Sequence, residues 1–222
     1  MAGPQPKQFL ALNGLPILIH SLRAFAAVKR VTAIYVAVRQ PEIERVQAQV
    51  AEYAEQYGFA GRVNVVEGGS NRQESVAHAL AALPAELDDI VLVHDAVRPL
   101  IDAATIDRTI DAVEAHGAAI VGLPAVDTIK QVERTAHGAL ITSTIPREFV
   151  VLAQTPQGFR YGLLQSAFAE AQADGFVGTD EASVVERAGH PVAVVHGSQV
   201  NLKITQPGDL ELAEFYLKQR SR

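Results

Sequence analysis

The chain has 222 residues, 48% of them hydrophobic, and a formal net charge of −6. That length supports one α/β domain with a sizeable core rather than two, and the acidic balance disfavours a general nucleic-acid binder. Without cysteine there are no disulfides, thiolate nucleophiles or sulfur-ligated zinc, which fits a cytoplasmic protein; no apolar run reaches the roughly 18 residues of a membrane span.

In chain order, Met1–Lys7 shows no apolar signal region. Val31 to Val38 is an apolar run and predicts a buried strand. Glu42 to Ala54 then places Ile43, Val46, Val50 and Tyr53 on one helical face. A short strand at Val63 to Val66 and a Gly68-Gly69 turn lead into a helix carrying Val76, Leu80 and Leu83. Ile90 to Val93 reads as a third strand. Asp102 to Ala115 is a helix with Ile106, Ile110 and Val113 inward and Gly117 as its stop. Ala118 to Leu123 is a fourth strand. Such alternation, with runs apolar on both faces, predicts an α/β fold: a Rossmann-like, mostly parallel sheet flanked by helices.

Lys130 to Phe159 breaks the pattern. Its helical periodicity is weak, it holds several Thr and Val residues, and it contains Pro146 and Pro156. It reads as extended segments that leave the sheet and return, a projecting β-arm over residues 131–155. Helices resume at Tyr161–Ala173 and Thr179–Ala188, the second with Thr179 as N-cap and Gly189 as stop. Val192–Val195 and Leu202–Thr205 read as strands, and Pro207–Lys218 as the closing helix. No internal repeat is present, so residues 1–222 read as a single domain.

Ligands of open α/β sheets bind beyond the carboxyl ends of the strands, which directs attention to the residues after each strand. Gly68-Gly69-Ser70-Asn71-Arg72-Gln73-Glu74-Ser75 joins a strand to a helix. The glycines permit a tight turn, the helix start offers free N–H groups and Ser75 a hydroxyl, which suits a nucleotide base, ribose or phosphate. An ordinary turn with a capping serine fits the same residues. In His94-Asp95-Ala96-Val97-Arg98-Pro99, Asp95 suits a substrate hydroxyl or magnesium and Arg98 a phosphate; a structural Asp–Arg pair is the alternative. His94 reads as a packed or hydrogen-bonded histidine. In Asp127-Thr128-Ile129-Lys130, alternation places Thr128 and Lys130 on one face. Lys203, inside the apolar run Asn201-Leu202-Lys203-Ile204-Thr205, requires an anionic partner if it is buried. A ligand, an ion pair or an exposed edge strand each satisfies that need. No GxxxxGK[ST], complete GxGxxG, HExxH or GxSxG occurs. A phosphate site must therefore be assembled from dispersed lysines, arginines and turn N–H groups.

These segments strongly resemble the 2-C-methyl-D-erythritol 4-phosphate cytidylyltransferases. The matching residues are Pro6-Lys7-Gln8-Phe9-Leu10, Gly68-Gly69 with Arg72 and Ser75, Val93-His94-Asp95-Ala96 with Arg98-Pro99, and Asp127-Thr128 with Lys130. They continue through Thr155-Pro156-Gln157, Thr179-Asp180-Glu181-Ala182, Asn201-Leu202-Lys203-Ile204-Thr205, and Asp209-Leu210 with Ala213-Glu214. The motifs run in order from Pro6 to the last helix. One feature departs from the family pattern. The family opens with an apolar strand and a glycine-rich loop, Ala-Ala-Gly-x-Gly-x-Arg-Met, shortly before Pro-Lys-Gln, and here Met1 stands where that loop ends. A first strand and loop are expected ahead of Met1; a natural variant without the loop is the alternative.

The resemblance implies a nucleotidyltransferase that joins CTP to 2-C-methyl-D-erythritol 4-phosphate in the non-mevalonate isoprenoid precursor pathway, releasing pyrophosphate. It implies Lys7, Arg147 and Lys203 as catalytic cations, with Lys7 at the triphosphate and Lys203 near both substrates. Asp95, Arg98 and Thr128 become contacts of the polyol phosphate, and Gly69, Ser75 and Ala96 the cytidine side of the pocket. Mg2+ would bridge the phosphates, held mainly by CTP. The middle segment becomes the arm of a homodimer, with Arg147 and Thr155 reaching the substrate phosphate of the partner subunit. Ribitol-5-phosphate cytidylyltransferase shares the fold and much of the pocket, and a non-catalytic sugar-phosphate-binding scaffold is a third reading.

Overall fold

The computed structural model describes residues 6–136 and 138–220. The loop expected to end at Met1 lies outside them. A helical turn at Lys7–Phe9 leads into the two-residue strands β1 (Ala11–Leu12) and β2 (Leu15–Pro16). Asn13 and Gly14 turn this hairpin with φ of 51° and 82°, values that favour Asn-Gly. Helix α1 (Ile17–Ala26) follows and is buried on most sides. No start signal precedes it but Pro16, and the sequence reading did not mark it.

Next come β3 (Ile34–Val38), α2 (Ile43–Ala54), β4 (Val63–Glu67), α3 (Arg72–Ala82) and β5 (Ile90–Val93). Helix α4 (Ala103–His116) and β6 (Ala118–Pro124) complete the patterned half. Asp102 caps α4 by accepting from Thr105 N, and Gly117, at φ 83°, stops it. The chain then leaves the sheet as β7 (Ile129–Thr135) and β8 (Gly138–Ile145), an antiparallel ribbon, and returns as β9 (Val151–Arg160). Helices α5 (Tyr161–Ala173) and α6 (Glu181–Arg187), strand β10 (Ala193–His196) and helix α7 (Pro207–Arg220) close the chain.

The four-stranded sheet has the order β10-β6-β9-β5. β10 is parallel to β6, while β9 is antiparallel to both β6 and β5. β9 is reversed because the chain re-enters from the ribbon, a direction that residue periodicity does not encode. β3 and β4 form a separate parallel pair.

Three local expectations are corrected. Asp180, not Thr179, caps α6: its Oδ1 accepts from Ser183 N and the Ser183 side chain answers in a capping box, so the helix starts at Glu181. Leu202–Thr205 is not a strand: Ile204 N donates to Val97 O, while Thr205 N and O are taken by the Asp209 and Lys7 side chains rather than by a neighbouring strand. The ribbon occupies 129–145 rather than 131–155, because residues 151–160 belong to β9 inside the sheet.

Between β3 and β5 lies a cavity of about 790 Å³. Ile34 to Ala37 line one side and Ile90 to Val93 the other. Leu18, Leu22 and Phe25 of α1, Val76, Ala79 and Leu80 of α3, and Leu83 just after it also line it. β3 pairs with β4 and β5 with β9, so among the described residues the edges of β3 and β5 toward the slot carry no strand. At one end of the slot stand Arg72, Ser75, Asp95 and Ala96.

Candidate active site

The glycine turn is built for close packing. A Cβ on Gly69 would stand 2.2 Å from the Glu74 Cβ. Gly69 N donates to the Ser75 hydroxyl at 3.0 Å, and that hydroxyl donates to Asn71 O at 2.8 Å. Asn71, rather than Ser75, caps α3 by accepting from Glu74 N. Glu74 in turn accepts from Ser70 N and Oγ, which holds its carboxyl below the usual range. The turn is thus fixed before any ligand arrives.

Asp95 follows β5 and is the centre of the site. Lys203 Nζ lies 2.9 Å from its Oδ2, Arg98 Nε 3.6 Å from the same oxygen, and Arg72 Nε 3.4 Å from Oδ1. Burial pushes the Asp95 carboxyl up, but Lys203, Arg72 and Arg98 together hold it below its ordinary value. Lys203 is exposed rather than buried, and its ammonium pairs with an anion inside its own chain.

The backbone of Asp95 is fixed as firmly. Asp95 N donates to Thr155 Oγ1 at 3.1 Å, and Thr155 Oγ1 meets His94 Nδ1 at 3.0 Å. His94 Nε2 faces Arg98 O at 3.1 Å. A carbonyl only accepts, so Nε2 carries the proton, Nδ1 accepts from Thr155, and the imidazole is neutral. Burial lowers the His94 pKa to about 4. As its sequence context suggested, His94 is a packed, hydrogen-bonded residue. Ser21 Oγ donates to Ala96 O and pins the next residue.

Arg98 is buried, donates to Asn201 O at 2.8 Å, and stands behind Asp95 rather than open to solvent. Asn201 Nδ2 donates to Thr155 O, so the segment carrying Lys203 is tied to β9. Lys7 Nζ reaches Thr205 O at 2.7 Å, two residues beyond Lys203. Thr205 N and Oγ1 are held by Asp209. Lys7, Asp95, Ala96, Arg98 and Lys203 are thus assembled beyond the end of β5. Gly69 and Ser75 sit next to them across Arg72.

Thr128 and Arg147 stand apart. Both are exposed at the base of the ribbon, where Arg147 Nη1 donates to Val126 O, and no recorded hydrogen bond or ion pair links them to Asp95. Thr155, by contrast, lies in β9 beside Asp95: it is 4% exposed and its hydroxyl is engaged with His94 and the Asp95 N–H. Arg72 and Glu181 were quoted as motif residues but given no role. The arginine donates to both Glu181 oxygens, at 2.6 and 2.8 Å. Among the described residues no group of three or more His, Cys, Asp or Glu is placed to hold a metal. Asp95, ringed by three cations, is ill suited to bind one.

A Rossmann-like sheet with a glycine turn at a helix start and a cation cluster beyond the strand ends has the features of a nucleotide-binding transferase. The family model for 2-C-methyl-D-erythritol 4-phosphate cytidylyltransferase (IspD) matches residues 1–219. A protein of that name from Acidobacterium capsulatum is 71% identical over 98% of this chain and 89% of its own. The Solibacter usitatus protein of the same name is 50% identical over 99% and 88%. Among solved structures, the Thermus thermophilus cytidylyltransferase superposes with a TM-score of 0.77 at 36% identity, covering 96% of this chain and 94% of that one. The Francisella tularensis enzyme gives 0.81 at 32%, covering 95% and 93%. The chain belongs to the 2-C-methyl-D-erythritol 4-phosphate cytidylyltransferase family.

Proposed function

We propose that this protein joins CTP to 2-C-methyl-D-erythritol 4-phosphate, giving 4-diphosphocytidyl-2-C-methyl-D-erythritol and pyrophosphate in isoprenoid precursor synthesis. The observation that carries this reading is the cluster of Lys203, Arg98 and Arg72 around Asp95, beside a preformed glycine turn. An oxygen of the substrate phosphate attacks the α-phosphorus of CTP. A bond forms there, the α–β bridging bond breaks, and pyrophosphate leaves with its electrons. A phosphate monoester has its second pKa near ~6, so the nucleophile is already largely a dianion at neutral pH. No general base is needed, and the neutral, engaged His94 is not one. The protein's task is to bring two anions together, which cations and positioning accomplish. Lys7 and Lys203 supply the charge. Asp95 reads polyol hydroxyls, and Gly69, Ser75 and Ala96 face the cytidine. Mg2+, carried by the triphosphate, would neutralise part of its charge.

Two further parts belong to this reading. The first is a cytoplasmic homodimer. Leu140 and Ile141 of the ribbon, Phe149 in the turn after it and Leu152 of β9 are all exposed, an apolar surface suited to a second subunit. Arg147, at the ribbon's base, would meet the partner's substrate phosphate. The second is a strand in the slot between β3 and β5. Phe9 packs with Val36, Val38 and Ala96, so the chain reaches residue 6 beside the strand ends. A strand parallel to β3 and preceding residue 6 would fill the slot and deliver a glycine-rich loop to Lys7.

The test is pyrophosphate release from CTP and Mg2+ with each polyol phosphate in turn, using a chain extended upstream by the family's strand and loop. Turnover with methylerythritol phosphate well above that with ribitol 5-phosphate is expected. The reverse preference would overturn the substrate assignment, and no turnover with either would favour the scaffold.

A further inference from the structure

Helix α6 has only seven residues and lies outside the cluster, yet both ends of Asp95 are tied to its start. One tie runs through side chains. Glu181, the first residue of α6, is 1% exposed and holds the Arg72 fork, while the Nε of the same guanidinium faces Asp95. The other runs through β9. Gln157, also 1% exposed, donates to Asp180 Oδ2 at 2.8 Å and accepts from Ala182 N at 3.0 Å. Two residues earlier in β9, Thr155 takes the Asp95 N–H.

We propose that Glu181 is a positioning residue of the polyol-phosphate site, holding the Arg72 fork away from Asp95 so that the carboxylate stays open to Lys203 and to substrate hydroxyls. The charges require such a holder. Arg72 carries five N–H donors in a planar fork that matches a carboxylate, and Asp95 is the nearest other carboxylate to it. With Glu181 in place only Nε reaches Asp95, at 3.4 Å. Burial raises the Glu181 carboxyl against the pull of Arg72, so this pairing opposes a desolvation penalty, as placement of a neighbour can demand of an otherwise costly buried pair. Without Glu181, Arg72 would turn its fork onto Asp95 and occupy the oxygens that read the substrate.

This inference rests on the substrate assignment for its kinetic readout but not for its second readout. Glu181→Gln should raise KM for methylerythritol phosphate about tenfold or more, with KM for CTP little changed. In an Arg72→Ala background the same substitution should add almost nothing, because the residue it releases is gone. Independently of substrate, the Asp95 carboxyl in isotope-labelled protein should titrate lower still in Glu181→Gln, as Arg72 moves onto it. Should Glu181→Gln fail to fold, Arg72→Lys is the second variant. It keeps the charge and the Glu181 pair but has no Nε facing Asp95, so Asp95 should titrate higher. A parent that turns over neither substrate counts against the assigned reaction alone, since the titration is read without substrate. An unchanged Asp95 titration in the foldable variant, or equal effects of Glu181→Gln with and without Arg72, would overturn the positioning role and leave Glu181 a packing residue.

Discussion

The slot between β3 and β5 and the ribbon of β7 and β8 both leave apolar side chains uncovered, but they call for different partners. The slot is interior. Helices α1 and α3 line it, and among the described residues no strand stands between the two strand edges that face it. Only an extended chain satisfies backbone donors and acceptors on both edges at once. The ribbon is exterior. Its strands already pair with each other, so what it lacks is a cover for side chains such as Leu140 and Ile141. Unpaired edges ask for a strand, and paired strands with apolar faces ask for another surface. The slot opens at Asp95, whereas Arg147 stands apart at the base of the ribbon.

The largest effect is expected in the slot. An upstream strand that buries a few branched side chains there should stabilise the fold by on the order of 5 kcal/mol, at about 25 cal/mol per Å². Denaturant melts of the 222-residue chain and an upstream-extended chain check this, and equal midpoints would remove the distinction between the two surfaces. Next is Lys203→Ala in the extended form. Removing a preorganised donor to developing charge should cost about 10²–10³ in turnover, roughly 3–4 kcal/mol, as measured by pyrophosphate release.

His94 tests the closed side of the sheet, where polar groups are already paired. Burial lowers its folded pKa to about 4, from the 6.5 of an ordinary imidazole. The unfolded chain therefore binds more protons between those values, and stability is lost as pH falls from about 6.5 toward 4, by about 3 kcal/mol in all. Asp95, held low, adds loss in the same direction at lower pH, while Glu181, raised by burial, works the other way. Acid melts followed with the His94 ring signal check the window. The smallest effect is at the ribbon: Phe149, 85% exposed in one subunit, should on change to Ala weaken dimerisation by about 2 kcal/mol. Sedimentation shows whether it does, and an unchanged dimer would move the interface elsewhere.

Much of this was legible where local pattern and packing agree. The α4 boundaries follow from Asp102 and Gly117, and β5 from four apolar residues. Lys203 drew attention as a lysine in an apolar run, but that run left a ligand, an ion pair and an exposed position equally open, and the residue proves both exposed and paired with Asp95. What the sequence did not disclose depends on partners far along the chain. The reversal of β9 is a consequence of the ribbon, not of its own residues. Arg72 and Glu181 are 109 residues apart, and nothing local marks either as the other's partner. Thr155 was assigned to the arm by its neighbours, whereas its burial places it in the sheet.

The claim that two subunits share each site is tested most directly by mixing two inactive variants of the upstream-extended chain, Lys203→Ala and Arg147→Ala. On the proposed reading, Lys203 acts within its own subunit and Arg147 in the site of its partner. In the mixed dimer both defects fall in one site and leave the other intact, so pyrophosphate release from CTP and methylerythritol phosphate should recover in part. Confirmed subunit exchange with no recovery would contradict the account and return Arg147 to its own subunit.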